Sequence, residues 1–258
     1  MMKGKKVIAV LPAYNAESTL EWTIDAMPKD VVDEIILVDD RSTDGTVALA
    51  KKLGLTTIVH EKNLGYGGNQ KTCYREALAR GADAVIMIHP DYQYDPRLTA
   101  YLAGIIADDV CDMVCGNRIR TRHEALAGGM PLWKYICNRV MSITENIWSG
   151  QNLGEWHSGM RAYSKELLEV VPWESNSDDF VFDQQMLHQV AYLGFRLGDI
   201  PVSARYFDEA SSINFRRSFI YGVETLGVMF WVLLARLGIY TSPIFKPRRE
   251  RKKAERTN

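Results

Sequence analysis

Asp91 and Gln93 stand two residues apart in His89-Pro90-Asp91-Tyr92-Gln93-Tyr94-Asp95-Pro96, a polar stretch punctuated by proline. A carboxylate and an amide at that spacing share one side of an extended chain. They offer hard oxygen ligands, the chemistry of Mg²⁺ or Mn²⁺ holding a diphosphate. The run Ala84-Val85-Ile86-Met87-Ile88 in front of them has the length and β-branched content of a buried strand. They therefore emerge at its C-terminal edge, where open α/β sheets place ligands. The plain alternative is a polar turn stiffened by Pro90 and Pro96.

Three earlier strand ends carry polar groups of the same kind. Val7 to Leu11 reads as a first buried strand stopped by Pro12-Ala13-Tyr14-Asn15, with a helix from Glu17 or Ser18. Ile35 to Val38 is a second, ending on Asp39-Asp40, and Ser42 or Asp44 is available to cap the helix that follows. Thr56 to His60 is a third, followed by the glycine-rich stretch 63–71 and a helix to about Arg80. Those glycines would let the backbone and Lys71 approach phosphates. The dinucleotide fingerprint G-x-G-x-x-G fails, because Gln70 holds its last position and the loop follows the third strand instead of the first. No glycine lies in the first turn, which removes a P-loop. Strand, turn and helix alternate four times, the pattern of a parallel sheet wound by helices.

The elements beyond Pro96 are a helix to about Asp109, a strand over 113–116 and a polar, mobile loop over 118–129. Arg118, Arg120 and Arg122 in that loop either steer a phosphate or are simply solvated. The helix over 131–150 carries Leu132, Ile136, Val140, Ile143 and Ile147 at the period of one buried face, with Arg139 off that stripe. Asp178 and Asp179 read as charge at a helix N-terminus. Asp183, one turn further and beside inward-turned Phe182, Met186 and Val190, is a general base, an acceptor-orienting group or simply charge near the helix start.

At 258 residues, 47% apolar and 24% charged, the chain suits one large α/β domain. Seven of the 31 Lys and Arg but two of the 32 acids fall after residue 245, leaving a body with 24 basic against 30 acidic residues. An acidic body argues against nucleic acid as a partner. The basic tail, 246–258, reads as a disordered end or a contact with anionic lipid. Thr225 to Ala235 is uncharged but short of the ~20 residues of a membrane span. It is expected to pack in a core or a homo-oligomer, or to lie in the plane of a membrane surface. Cys73, Cys111, Cys115 and Cys137 read as reduced, mostly buried thiols, and the first apolar run is too short for a signal peptide core, so the expected location is cytoplasmic.

Taken together, Pro12-Ala13-Tyr14-Asn15, Val38-Asp39-Asp40-Arg41-Ser42-x-Asp44-Gly45-Thr46, Asn63-x-Gly65, Asp91-x-Gln93-x-Asp95-Pro96, Ser158-Gly159-Met160-Arg161-Ala162-Tyr163 and the segment 194–202 resemble glycosyltransferase family 2. Within it the likeness is greatest to the dolichol-phosphate mannosyltransferase and polyprenyl-phosphate glycosyltransferase group. The resemblance implies a GT-A fold over 1–215, a mixed, mainly parallel α/β sheet, followed by a C-terminal apolar helical segment over 216–245 and the basic tail. It further implies a nucleotide-sugar donor, expected as a UDP- or GDP-sugar, a divalent metal, inversion at the anomeric carbon and a lipid-phosphate acceptor, while the adjacency of the apolar segment and the basic tail points to an enzyme peripheral at the cytosolic membrane face.

Carried onto matching positions, the resemblance puts Pro12, Tyr14, Asn15 and Asp40 in the nucleoside pocket with Asp39 beside it, and gives the metal to Asp91 and Gln93. Arg118 and Arg139 would face the acceptor's phosphate, Ser158, Gly159 and Arg161 would floor the sugar site, and Arg205 and Ser211 would belong to an acceptor-side lid. Two positions depart from the family pattern. His89 replaces the first carboxylate of Asp-x-Asp, as a ligand or as a hydrogen-bond partner of metal-bound water, and Ala16 replaces a glutamate. A saccharide hydroxyl acceptor, or nucleotide-sugar binding without catalysis, are the competing functions.

Overall fold

Strands buried on both faces lose the apolar/polar alternation of a half-solvated sheet, and β1 (Val7–Ala13) is buried at all seven positions. The computed structural model describes residues 1–119, 121–204 and 215–248. After β1 come α1 (Glu17–Asp25), β2 (Glu34–Asp39), α2 (Thr46–Lys52), β3 (Thr56–Val59), α3 (Gly65–Ala79), β4 (Ala84–Met87) and α4 (Thr99–Ala107). The second half holds β5 (Met113–Asn117), α5 (Arg122–Ala127), α6 (Leu132–Ser149), β6 (Arg161–Ser164), α7 (Lys165–Val170), α8 (Phe182–Tyr192), β7 (Leu197–Pro201) and α9 (Phe215–Arg236). The sheet order is β3-β2-β1-β4-β6-β5-β7. Only β6 runs antiparallel to its neighbours, so the four strands expected from the first half share one C-terminal edge.

Alternate residues of β1 feed two cores, as the period of a strand requires. Ile8 and Val10 pack with Tyr74 of α3 and Phe182 and Met186 of α8; Val7, Ala9 and Leu11 pack with Leu20 of α1 and Leu102 of α4. Cys73 and Cys115 are buried, and Cys137 is exposed. Burial pushes the Cys115 thiol up to about 12, which makes it inert.

Three expectations are corrected. The polar stretch after Arg118 contains a helix, α5, capped by Thr121, whose hydroxyl accepts from Glu124 N at 3.1 Å. The apolar stripe of α6 is not its buried face: Ile136, Val140 and Ile147 are 51%, 57% and 74% exposed, while Asn138, Ser142, Glu145 and Ser149 are buried. The polar stripe turns inward because its partners are there, with Asn138 Nδ2 donating to Glu155 Oε1 at 2.9 Å and Glu145 lying 3.1 Å from His157 Nε2. Finally, α9 extends well beyond the uncharged run. Arg217–Arg236 is long and apolar enough to cross a membrane by length and composition, and 28% of it is buried. Arg236 ties α9 to α6 through the carbonyls of Trp148 and Ser149, at 2.8 and 2.6 Å.

Candidate active site

A crevice of about 1210 Å³ opens at the C-terminal edge of β1, β2 and β4 and continues between α6 and α9. Three turns at this edge pass through left-handed residues, Asn15 (φ 51°), Arg41 (φ 65°) and Tyr92 (φ 53°). Each costs about 1–2 kcal/mol outside glycine and is held by side-chain bonds. Asn15 Oδ1 accepts from Thr43 N at 2.8 Å and Ser42 Oγ accepts from Asn15 N at 2.8 Å, locking the first turn to the second. Asp44, expected as a cap, accepts from Thr46 N at 3.0 Å and from Glu17 N at 3.1 Å, and so holds the starts of both α2 and α1.

Asp40 organises the donor end. Its carboxylate accepts from Leu64 N at 2.7 Å and Gly65 N at 2.9 Å, satisfying amides at the start of α3, and lies 2.8 Å from His60 Nδ1. Pro12, Tyr14, Asn15 and Asp40 all line the crevice. Asp39 does not: it is fully buried and accepts from Ser42 N at 2.9 Å and from the Ser42 hydroxyl.

The glycines after β3 serve the protein's own backbone. Gly67 N and Gly68 N donate to Asp178 O at 2.7 and 3.3 Å, and a Cβ on Gly67 would lie 2.4 Å from Ser177 O. Lys71 is drawn to the same segment, donating to Asn176 O at 2.5 Å and Asp178 Oδ1 at 2.6 Å, so it is not part of the crevice wall. Gly67, Gly68 and Lys71 are thus engaged by the 176–178 segment, while Asn63, Leu64, Gly65 and Tyr66 of the same stretch line the crevice.

His89, Asp91 and Gln93 line the crevice together. Asp91 Oδ1 accepts from the Gln93 backbone N at 3.0 Å, which orients the carboxylate within the turn. Among the described residues no group of three or more His, Cys, Asp or Glu is arranged to hold a metal ion. The set present, one carboxylate, one amide and one imidazole, fits an ion that completes its shell with diphosphate oxygens.

Asp183 sits 7% exposed at the start of α8 with both oxygens engaged. Arg161 NH1 lies 2.7 Å from Oδ1, Gln70 Nε2 donates to Oδ1 at 3.0 Å, and the Tyr66 hydroxyl donates to Oδ2 at 2.7 Å. Burial and then the Asp183 charge push the Tyr66 phenol well above its ordinary value, so it stays a donor. Arg161 is fully buried beneath the crevice, and Ser158 is buried as well. Gly159 lines it, and a Cβ there would lie 2.9 Å from His89 Cδ2.

Arg118 reaches the wall through a buried ion pair. Glu155 accepts from Arg118 N at 2.7 Å and Nε at 2.8 Å. Burial pushes Glu155 up, but the Arg118 charge and hydrogen bonds outweigh it and hold the carboxyl below its usual range. Arg139 instead donates to Gly154 O at 2.7 Å and is absent from the wall. Arg205 and Ser211 lie outside the described residues. Lys134 and Arg217, which sequence patterns did not single out, join Arg118 in lining the crevice, together with Trp133, Met141, Phe219 and Val223. Tyr66 was visible only as a member of the glycine stretch, and Glu155 gave no local signal at all.

A mostly parallel sheet wound by helices, with carboxylates at the ends of β2 and β4 on either side of β1, is a GT-A-like architecture. The chain belongs to glycosyl transferase family 2, whose family model matches residues 8–171. It is 27% identical over 222 residues to the UDP-N-acetylglucosamine–dolichyl-phosphate N-acetylglucosaminyltransferase of Methanococcus voltae, covering 80% of this chain and 88% of the relative. It is 25% identical over 244 residues to the undecaprenyl-phosphate mannosyltransferase of Micrococcus luteus, covering 90% and 96%. Glucosyl-3-phosphoglycerate synthase of Mycobacterium tuberculosis, solved with Mn²⁺, UDP and phosphoglyceric acid, shares the fold with a TM-score of 0.65 at 20% identity, covering 93% of this chain and 81% of that one.

Proposed function

We propose that this glycosyltransferase moves a sugar, with inversion, from a UDP- or GDP-sugar to a polyprenyl phosphate at the cytosolic face of a membrane, using a divalent metal. One observation carries the reading: a single crevice is lined by Asp40, Asp91 and Gln93, by Arg118, Lys134 and Arg217, and by apolar side chains of α6 and α9. That combination of carboxylates, cations and apolar surface in one crevice suits a metal-bound diphosphate, an acceptor phosphate and a lipid chain. The acceptors named for the Methanococcus and Micrococcus relatives are of the same chemistry.

Asp91 and Gln93, with His89, would hold the ion, and bound there Mg²⁺ or Mn²⁺ supplies neutralising charge for a departing nucleoside diphosphate. Pro12, Tyr14, Asn15 and Asp40 bind the nucleoside. Arg118, fixed by Glu155, presents a cation to the acceptor. A phosphate monoester is already anionic and needs placement more than deprotonation. A hydroxyl acceptor would need a base, and Asp183, with both oxygens engaged, is better suited to orienting its neighbours. The exposed apolar faces of α6 and α9 would rest on the bilayer.

The test is a panel of nucleotide-sugars with and without a short polyprenyl phosphate, following nucleoside diphosphate release with Mg²⁺, Mn²⁺ or EDTA. Metal-dependent turnover only with the lipid phosphate is expected. Turnover with saccharides alone would replace the acceptor, and no turnover with any donor would end the enzymatic reading for this substrate class.

A further inference from the structure

The Tyr66 hydroxyl lies between two groups, 2.7 Å from Asp183 Oδ2 and 3.1 Å from His89 Nε2. A phenol has one proton to give, and a carboxylate paired with Arg161 can only accept, so that proton points to Asp183. The Tyr66 oxygen then meets His89 with a lone pair, and Nε2 must be the ring nitrogen that carries hydrogen. In a neutral imidazole this leaves Nδ1 as the electron-pair donor. Ring orientation is fixed as well. Tyr66 stacks on His89 at 5.4 Å and 26°, and the Cδ2–Nε2 edge is pressed on Gly159, where a Cβ would lie 2.9 Å from Cδ2. Nδ1 is on the opposite edge of a ring that lines the crevice with Asp91 and Gln93.

We infer that Tyr66 and Asp183 are positioning residues that fix the His89 tautomer, so that Nδ1 serves as a nitrogen ligand beside Asp91 and Gln93 and the site selects Mn²⁺ over Mg²⁺. This rests on the metal-dependent reading above. Mn²⁺ and Mg²⁺ both favour oxygen ligands, but Mg²⁺ demands a near-ideal octahedral oxygen shell, whereas Mn²⁺, at the foot of the first-row series, accepts an imidazole nitrogen more readily. A ligating histidine ordinarily donates its other N–H to a carboxylate, a backbone carbonyl or water, and losing such a partner costs about 10- to 100-fold in metal affinity or activity. Here Tyr66 is that acceptor and Asp183 the carboxylate behind it.

The experiment is Mn²⁺ binding by electron paramagnetic resonance, with UDP or GDP present and Mg²⁺ as competitor, on wild type, Tyr66→Phe and His89→Asp shown to be folded by circular dichroism. Electron spin echo modulation on the bound Mn²⁺ reports a coordinated nitrogen, and ¹⁵N-histidine labelling assigns it. The expected results are a histidine nitrogen coupling in wild type that is absent in His89→Asp, at least about a tenfold preference for Mn²⁺ that narrows in His89→Asp, and about 10- to 100-fold weaker Mn²⁺ binding in Tyr66→Phe. Wild type that holds Mn²⁺ with the nucleotide but shows no histidine nitrogen overturns the ligand assignment. Tyr66→Phe binding Mn²⁺ as tightly as wild type overturns the relay. Failure of either nucleotide to bring Mn²⁺ to the protein overturns both this inference and the metal-dependent reading beneath it, a result distinct from the other two.

Discussion

Glu155 has no exposed surface, and its two oxygens hold the Arg118 backbone and guanidinium together with Asn138. Removing one partner of such a pair strands the other charge, at a cost of about 3–5 kcal/mol. Glu155→Gln is therefore expected to lower stability by about 3 kcal/mol in urea unfolding and to slow transfer by loosening Arg118. A change below about 0.5 kcal/mol would show the pair to be dispensable. Gly159 is a different case, since its requirement is space. Gly159→Ala drives a methyl to within 2.9 Å of the His89 ring. It should reduce turnover about tenfold or more and weaken metal-dependent nucleotide binding, read by kcat and by nucleotide affinity with and without the metal. Equal turnover would mean that the ring can move aside at no cost.

At the scale of elements, α6 is built with its polar stripe inward and its apolar stripe out. Glu145, fully buried, lies against His157 at 3.1 Å and His188 at 3.6 Å, so α6 is fastened by charge and hydrogen bonds where most helices are fastened by apolar packing. The prediction for the double variant Ile136→Glu, Ile147→Glu follows from that inversion. Both residues are at least half exposed, so the fold should lose no more than about 0.5 kcal/mol per site. Co-sedimentation with anionic vesicles should fall several-fold. Unfolding of the variant would return this stripe to the core, and unchanged vesicle binding would move the membrane contact elsewhere. If the stripe instead covers a second copy of the chain, the variant would change the mass in solution and leave vesicle binding alone.

Across the whole molecule, buried carboxylates set the response to acid. Glu145 and Glu155 are held below their ordinary value of 4.5: burial raises both, and the histidines beside Glu145 and Arg118 beside Glu155 outweigh it. Groups depressed in the folded state stabilise it fully above the unfolded value and lose that contribution as pH falls through the folded value. Stability is accordingly expected to drop below about pH 4.5, with α6 and the Arg118 wall loosening early. Glu155→Gln should show a shallower loss over the same range in acid titration followed by tryptophan fluorescence; a parallel curve would assign the acid response to other groups.

The sequence by itself determined the order of strands and helices through β5, the edge at which Asp40, Asp91 and Gln93 meet, and the family, because apolar runs of strand length and their polar ends are local features. It also marked an apolar stripe on α6 from its period. Period identifies a face but not the side on which the core lies. Only the tertiary structure decided that, by setting Glu155, His157 and His188, distant in sequence, against the polar stripe. The same reason governs Lys71, whose partner at Asp178 is 107 residues away, and Asp183, whose Tyr66 is 117 away. A side chain's chemistry depends on which group meets it in space, and that is fixed only when the chain has closed.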